Sequence, residues 1–293
     1  MKIFRIASLF VLNCCLLGGA LAAEPTTTVL SKESSAGNGH SLEAETAAIR
    51  KHHLSRLNER LAIDPLVLHQ TCRYESEIST APPSKRVVLS FDDGPDPHQT
   101  EYILEILKKH DIGGTFFLIG EKAKLHPTLV AKIQEGGRHT IGNHSWDHPN
   151  FHEISVDQQA SEVLRYEEEP ATGPVKLLFR YPYGNSSCET NALLHSRGYR
   201  IVGWHVDSCD WAFDKSGSVD AKEAFACGVL AQNKNNYIEH VVSSVRAHNG
   251  GVVLMHEIHP NTIRMLEEII VRLKQDGFVF GTIEDVNFAP SLR

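Results

Sequence analysis

The pattern of hydrophobic and polar positions changes near residue 85. Before that point, residues 42–61 mix apolar positions with many charges and predict a helix. Asp64-Pro65 would end this helix, because the residue before a proline disfavours the helical conformation. After that point, residues 86–91 form a short apolar run that is typical of a strand buried in a parallel sheet. The proline-containing stretch at residues 80–84 separates the two regions and predicts a domain boundary.

Beyond residue 85, strand-like and helix-like segments alternate to the end of the chain. Strands are predicted at residues 86–91, 114–119, 175–180, 200–206 and 251–256. Helices are predicted at residues 101–110, 127–135, 155–166, 237–248 and 262–275, and the third of them opens with a capping box from Ser155 to Gln158. Such alternation requires crossover connections, so it predicts an α/β fold with a parallel sheet, closed or open.

The first 23 residues have the organisation of a signal peptide. Lys2 and Arg5 precede an apolar run at residues 6–17, and small residues that suit a signal peptidase follow. The run is shorter than the roughly 20 residues of a membrane-spanning helix, so we predict cleavage rather than an uncleaved anchor, and no span afterwards. The chain then divides into residues 1–23, a linker and helical extension at residues 24–83, and a main domain at residues 84–293. Because a signal peptide directs export, the predicted location of the protein is the periplasm, the cell envelope or the medium.

Charge excludes one class of partner. Loss of Lys2 and Arg5 with the signal peptide leaves 27 basic and 36 acidic side chains, a net charge of −9. A protein that binds nucleic acid through phosphate contacts carries a basic surface, so we predict no nucleic-acid partner.

Four cysteines remain after processing, namely Cys72, Cys188, Cys209 and Cys227. An even number suits disulfides in an oxidising compartment. Three pairings are possible, and buried thiols are the alternative. The short loop between Cys209 and Cys227 favours that pair, which would stabilise the fold by about 3 kcal/mol in the chain-entropy model.

Two adjacent carboxylates, Asp92 and Asp93, follow the first predicted strand and precede Gly94-Pro95. Sites in parallel α/β folds are built at the carboxyl ends of strands. Neighbouring strand residues point to opposite faces, but at a strand-to-loop bend both can face one cavity. The alternative is a turn in which Asp and Gly only satisfy the local backbone.

His144 and His148 are four residues apart, a spacing that predicts two imidazoles on one side of a helical turn. In a chain with 17 histidines, this pair alone would be weak evidence for a metal site. With Asp93 it completes a His-His-carboxylate set, which leaves positions for water and substrate and is typical of hydrolytic rather than structural metal sites.

Further polar residues follow three more predicted strands. These residues are Arg180, Asp207, Asp210, Trp211 and His256. Taken singly, each of them could equally be an ordinary surface or core residue. Residues 256–259 are not a zinc-protease signature, because its two histidines are four apart and these are three apart.

Taken in order, five motifs resemble those of the NodB-type polysaccharide deacetylases, carbohydrate esterase family four. They are Phe91-Asp92-Asp93-Gly94-Pro95, His144-Ser145-Trp146-Asp147-His148, Arg180-Tyr181-Pro182-Tyr183, Asp207-Ser208-Cys209-Asp210-Trp211 and Leu254-Met255-His256. The resemblance spans about residues 85–288. It implies a distorted (β/α)7-type barrel, here with a short N-terminal helical extension.

The resemblance also implies a divalent metal, commonly zinc, held by Asp93, His144 and His148. Asp92 takes the place of the general base that activates the attacking water. Arg180 matches the arginine that pairs with this base.

The remaining matched residues concern the leaving group and the substrate. The backbone N–H of Tyr183 would help to stabilise the tetrahedral oxyanion. His256 matches the general acid that protonates the leaving amine, and Asp210 matches the residue that orients it. Trp211 and Leu254 would line the pocket for the acetyl methyl group.

The expected substrate is an N-acetylated cell-wall polysaccharide, because export and an acidic surface favour such a polymer. Peptidoglycan, at N-acetylglucosamine or N-acetylmuramic acid, is preferred over chitin oligomers, exopolysaccharide or xylan. A non-catalytic glycan-binding module would lack an acid, a base or a ligand, and none is missing here. A hydrolase of small amides or esters is the other alternative. The chain departs from the family pattern at two positions that bear on the shape of the substrate groove. Glu257 stands where aspartate is frequent, and Cys209 lies inside the fourth motif. The sequence does not decide the oligomeric state.

Overall fold

The computed structural model describes residues 72–174 and 176–293. The predicted signal peptide, linker and helix at residues 42–61 lie outside this part of the chain. Among the described residues, no helix combines the length and the apolar character that crossing a membrane requires.

The described chain alternates between parallel strands and helices, as the sequence pattern predicts. The strands are β1 (Arg86–Gly94), β2 (Thr115–Leu118), β3 (Thr140–Asn143), β4 (Leu178–Phe179), β5 (Arg200–Ile201), β6 (Val206–Asp207), β7 (Gly251–His256) and β8 (Val279–Gly281). The helices are α1 (Thr100–Lys109), α2 (Gly120–Leu125), α3 (Pro127–Gln134), α4 (Val156–Glu168), α5 (Cys188–Ser196), α6 (Ala221–Ala226), α7 (Tyr237–His248) and α8 (Pro260–Gln275).

The strands form one curled sheet in the order β5-β4-β3-β2-β1-β7-β6, with β8 paired to the start of β1. Every strand pairing in this sheet is parallel. The two edge strands, β5 and β6, are consecutive in the chain and are joined by residues 202–205 alone. The sheet therefore curls towards closure, in agreement with the distorted barrel that the motifs imply.

The prediction of a single strand at residues 200–206 is wrong. Arg200 and Ile201 pair with β4, whereas Val206 and Asp207 pair with β7 at the opposite edge. One strand cannot bond to both edges at once, so the hydrophobic run is divided. The strand predicted at residues 175–180 is shorter than expected, because only Leu178–Phe179 pairs with its neighbours.

Two apolar clusters occupy the two faces of the sheet. Val87, Leu89 and Phe91 of β1 belong to a large cluster shared with the surrounding helices. Val88 and Val252 belong to a smaller cluster, whose members come largely from the concave face. Because strand side chains alternate, Ser90 and Asp92 point to the same face as Val88, towards the interior of the curled sheet. Because both faces of β1 are buried, the sequence of this strand is a nearly continuous apolar run.

The helices pack their apolar faces on the outside of the sheet. Ile103 and Leu107 of α1 are buried, while the charged side chains of that helix face away from the sheet. The predicted capping box is confirmed at α4, where the Ser155 hydroxyl accepts from the Gln158 amide and the Gln158 side chain accepts from the Ser155 amide. Helices α2, α5 and α6 are absent from the sequence prediction. Helices α2 and α6 have only six residues each, and the buried face of α5 includes the polar residues Thr190 and Asn191, so it lacks an apolar stripe.

Residues 72–80, assigned by the sequence to the N-terminal extension, lie against the main domain. Tyr74 bridges to Asn185, and Glu77 bridges to Trp204 in the connection between β5 and β6. The disulfide Cys72–Cys188 ties this segment to the first turn of α5. The domain boundary at residue 84 stays a prediction, but Ser76 and Ile78 exchange backbone hydrogen bonds with Trp204, in the connection between the two edge strands.

Candidate active site

The carboxyl end of β1 presents two carboxylates on one side. The register of β1 against β2 shifts between Asp92 and Gly94, and Asp93 has a left-handed backbone with φ of 70°. A bulge of this kind turns a side chain that would otherwise point to the opposite face. Both carboxylates therefore face the same imidazole, with His144 Nε2 3.6 Å from Asp92 Oδ2 and 3.4 Å from Asp93 Oδ1.

Asp92 is held by a buried arginine. Arg180 Nη1 lies 2.7 Å from Asp92 Oδ1 and donates to Ser90 Oγ at 2.8 Å. The other guanidinium nitrogens donate to the carbonyl oxygens of Val202 and Gly203. Arg180 is fully buried, so its charge is matched by Asp92 and by these oriented acceptors. The predicted pairing of Arg180 with Asp92 is present in the structure.

The segment that carries His144 and His148 is a loop, so the predicted helical turn is wrong. Ser145 and His148 have φ of 67° and 62°, which a helix does not allow. The backbone amides of Trp146 and Asp147 donate to the Glu162 carboxylate of α4 at 2.8 and 2.9 Å. These contacts hold the loop in a form that brings both imidazoles together, with ring centroids 4.9 Å apart.

Asp93, His144 and His148 converge as a candidate metal site. Asp93 Oδ1 lies 3.4 Å from His144 Nε2 and 3.2 Å from His148 Nε2. His144 Nδ1 donates to the Arg180 carbonyl oxygen at 2.8 Å, which requires the proton on Nδ1 and leaves the lone pair of Nε2 facing Asp93. Within the described residues, neither buried carboxylate oxygen of Asp93 accepts a hydrogen bond of ordinary geometry. These three side chains therefore suit a cation.

The protonation states of His148 and Asp93 agree with that role. Burial lowers the pKa of His148 to about 3, so its imidazole is neutral at ordinary pH. Burial by itself would raise the pKa of Asp93, but His148 and His144 hold it well below its usual value. A neutral imidazole and an ionised carboxylate are the forms in which His148 and Asp93 would bind metal.

A second buried pair lies at the end of β7. His256 Nδ1 is 2.7 Å from Asp210 Oδ1, and the His256 amide donates to Asp210 Oδ2 at 2.7 Å. Thr262, in the first turn of α8, also donates to Asp210. Burial by itself would lower the pKa of His256, but Asp210 through charge and hydrogen bonding, with Asp93 and Asp92, raises it to about 10. His256 is therefore a protonated imidazole near neutral pH.

Tyr183 lies against the metal set. It belongs to a short 3₁₀ turn, Pro182–Gly184, and has φ of 57° and ψ of 5°. Its ring makes an edge contact with His148 at a centroid distance of 4.6 Å. Trp211 and Leu254 are both buried, and their predicted part in an acetyl pocket stays a prediction.

The loop that carries Asp210 and Trp211 is anchored by a disulfide. Cys209 pairs with Cys227, as the loop length favours, and the remaining cysteines pair as Cys72–Cys188. Cys209 is fully buried with φ of 58°, and its carbonyl oxygen accepts from the amides of Ala212 and Phe213. The departure of Cys209 from the family pattern is therefore part of the loop's anchoring.

Three residues that contact the candidate site residues were not predicted from the sequence. Ser90 accepts from Arg180, Thr262 donates to Asp210, and Lys122 donates to the Asp93 carbonyl oxygen at 3.1 Å. Ser90 had a usable signal, because it is a polar residue in an apolar strand, two positions before Asp92. Thr262 and Lys122 had none, because tertiary contacts alone bring them to the site.

Known proteins resemble this chain in sequence and fold. A model of the polysaccharide deacetylase family matches residues 79–202. The peptidoglycan-N-acetylglucosamine deacetylase PgdA of Listeria monocytogenes is 32% identical over 212 residues, which are 72% of this chain and 40% of that protein. The chain thus spans less than half the length of that relative. The peptidoglycan-N-acetylmuramic acid deacetylase PdaA of Bacillus subtilis is 30% identical over 212 residues, 71% of this chain and 74% of that protein.

A solved structure supports the same relationship. A peptidoglycan N-acetylglucosamine deacetylase in complex with an N-oxidanyl-benzamide superposes with a TM-score of 0.58 and 30% sequence identity. The match covers 72% of this chain and 91% of that one. The resemblance drawn from the five motifs is confirmed, and this chain belongs to the polysaccharide deacetylase family, carbohydrate esterase family four.

Proposed function

We propose that this protein hydrolyses the N-acetyl group of amino sugars in peptidoglycan, releasing acetate and leaving a free amine. The observation that carries the proposal is the arrangement of two separate buried pairs, Asp92 with Arg180 and His256 with Asp210, beside the set of Asp93, His144 and His148. Amide hydrolysis needs a base for the water and an acid for the nitrogen, and these pairs supply one of each.

Asp92 is the base in this proposal. It accepts a proton from the attacking water while the new C–O bond forms. Arg180 fixes the orientation of its carboxylate through Nη1. Because Arg180 is itself held by the carbonyl oxygens of Val202 and Gly203, the base has little freedom to turn away.

His256 is the acid. Its raised pKa keeps a proton on the imidazole, which passes to the sugar nitrogen as the C–N bond breaks. Asp210 bonds Nδ1, so the proton that is transferred is the one on Nε2. The Tyr183 N–H would stabilise the negative charge that develops on the carbonyl oxygen.

Zinc is the proposed cation, because two imidazoles and one carboxylate form a donor set that zinc accepts. When bound by Asp93, His144 and His148, it would polarise the acetamide carbonyl and make water more acidic near neutral pH.

Peptidoglycan is the proposed substrate on two grounds. The relatives from Listeria monocytogenes and Bacillus subtilis are named for deacetylation of peptidoglycan sugars. The signal-like start of the chain and its two disulfides favour an exported protein in the periplasm, the cell envelope or the medium. Chitin oligomers and exopolysaccharide are the alternative substrates.

Acetate release tests the proposal. The zinc-loaded protein is incubated with peptidoglycan and with chitin oligomers, beside Asp92→Ala and His144→Ala controls. Acetate from peptidoglycan that both substitutions abolish is the expected result. Acetate released from chitin oligomers but not from peptidoglycan would contradict peptidoglycan as the substrate and favour chitin oligomers. Glycan binding without acetate would contradict catalysis and favour a binding module.

A further inference from the structure

Tyr183 holds an unfavourable backbone conformation that its surroundings must maintain. A non-glycine residue in the left-handed region is disfavoured by roughly 1–2 kcal/mol. The φ of 57° at Tyr183 therefore has to be imposed by contacts on the two sides of its turn. The direction of its N–H, which the proposed reaction uses, depends on those contacts.

Glu75 holds the downstream side of the turn. Its backbone amide donates to the Gly184 carbonyl oxygen at 2.9 Å. Beside it, Tyr74 bridges to Asn185, and the Ser186 amide donates to the Arg73 carbonyl oxygen at 2.9 Å. The segment before the main domain thus pairs with the chain directly after Tyr183.

The side chain of Glu75 reaches the upstream side of the same turn. Its Oε1 accepts from Asn191 Nδ2 at 3.0 Å, and Asn191 Oδ1 accepts from the Tyr181 hydroxyl at 2.7 Å. All three side chains are buried, so water does not compete for these bonds. Burial, together with the nearby Glu75, raises the pKa of Tyr181, which keeps its hydroxyl as a donor.

Two further contacts fix Glu75 itself. Arg293 Nη1 lies 2.6 Å from Glu75 Oε2. The disulfide Cys72–Cys188 joins the segment to α5, the helix that carries Asn191. The family match begins at residue 79, so Glu75 lies outside it.

We propose that Glu75 is a positioning residue that orients the Tyr183 N–H by holding both sides of its turn. The inference rests on the proposed function, because it assigns Glu75 a part in the same reaction. Through Glu75, the segment before the main domain then supports the geometry of the reaction without contacting the substrate.

Steady-state kinetics of acetate release test this role. Loss of an oxyanion donor reduces kcat by about 10²–10³, and misplacing one should cost part of that, so we expect Glu75→Ala to lower kcat by about 10- to 100-fold. KM should stay within about twofold, because the contact matters in the transition state. Glu75→Gln keeps an oxygen for Asn191 and should restore kcat to within about threefold of the wild-type value.

A double-mutant cycle separates positioning from general stability. Tyr181→Phe cuts the same link at its other end, so Glu75→Ala and Tyr181→Phe should not add when combined. Additive losses, or a loss in Glu75→Gln equal to that in Glu75→Ala, would overturn the proposal. If Glu75→Ala does not fold, Tyr181→Phe with a wild-type kcat would overturn it as well. Glu101→Ala, an exposed glutamate paired with Lys132, is the matched control and should leave kcat unchanged.

The wild-type reaction distinguishes the two failures. No acetate from the zinc-loaded wild type would refute the proposed function, and the role of Glu75 with it. Acetate at equal rates from the wild type and Glu75→Ala would refute only the role of Glu75.

Discussion

Asp92 and His256 are paired directly across the neighbouring parallel strands β1 and β7. Each has its own buried partner, Arg180 for Asp92 and Asp210 for His256. Asp210, through its charge and its hydrogen bond, favours the protonated imidazole of His256. The two strand ends therefore bring the Asp92 carboxylate close to a protonated imidazole, an arrangement that suits the base and the acid of the proposed reaction.

Asp92→Asn should lower kcat by about 10²–10⁴, the usual contribution of a general base, because an amide cannot take the proton. Zinc content should stay at the wild-type level, since Asp92 is outside the proposed ligand set. Acetate release and metal analysis on the same preparation check both points. Loss of zinc together with activity would instead place Asp92 among the ligands.

Removal of a proposed ligand should remove the metal. His148→Ala is expected to bind less than one zinc per chain, and chelator should lower the Tm of the wild type but not that of the variant. At a free zinc concentration 100 times Kd, binding stabilises a fold by about 2.7 kcal/mol, which the Tm difference should reflect. His195→Ala, an exposed histidine on α5, is the control. A chelator-sensitive Tm in His148→Ala would contradict the assignment.

Opening the Cys209–Cys227 disulfide should affect both stability and catalysis. A loop of this length contributes about 3 kcal/mol in the chain-entropy model, so the double replacement Cys209→Ala and Cys227→Ala should lower the free energy of unfolding by about that amount. We also expect a lower kcat, because Asp210 directly follows Cys209. Urea unfolding and acetate release measure the two effects. Full kcat in the folded variant would show that the loop does not need this anchor.

Glu257 should make the fold less stable as pH rises. Burial raises its pKa from 4.5 to about 8, although Thr100 donates a hydrogen bond to its carboxyl group. A folded-state pKa above the unfolded value gives stability that is complete below pH 4.5 and is lost as pH rises through about 8.

The matched variant for this effect is Glu257→Gln, a neutral side chain of the same shape. Its free energy of unfolding relative to the wild type should increase between pH 5 and pH 8, by on the order of a few kcal/mol at most. Urea unfolding at both pH values measures this difference. Glu101→Gln, an exposed position, should show no such change, and a flat difference for Glu257→Gln would contradict the raised pKa.

The class of fold and the main candidate residues of the site could be predicted from the amino-acid sequence. Apolar runs such as the one before Asp92 identify buried parallel strands, because burial on both faces leaves a continuous signal. The carboxyl ends of parallel strands meet at one edge of the sheet, so residues following different strands could be assigned to one site. The capping box at Ser155 was also readable, since its bonds join residues three apart.

The orientation of those residues could not be predicted, because it depends on contacts between distant parts of the chain. The left-handed kink at Asp93, the loop conformation around His148 and the division of residues 200–206 all follow from contacts with distant parts of the chain. The link from Glu75 through Asn191 to Tyr181 joins three segments that no local pattern connects. Local sequence encodes periodicity and burial, whereas these features are set by hydrogen bonds and packing that exist only once the sheet has curled.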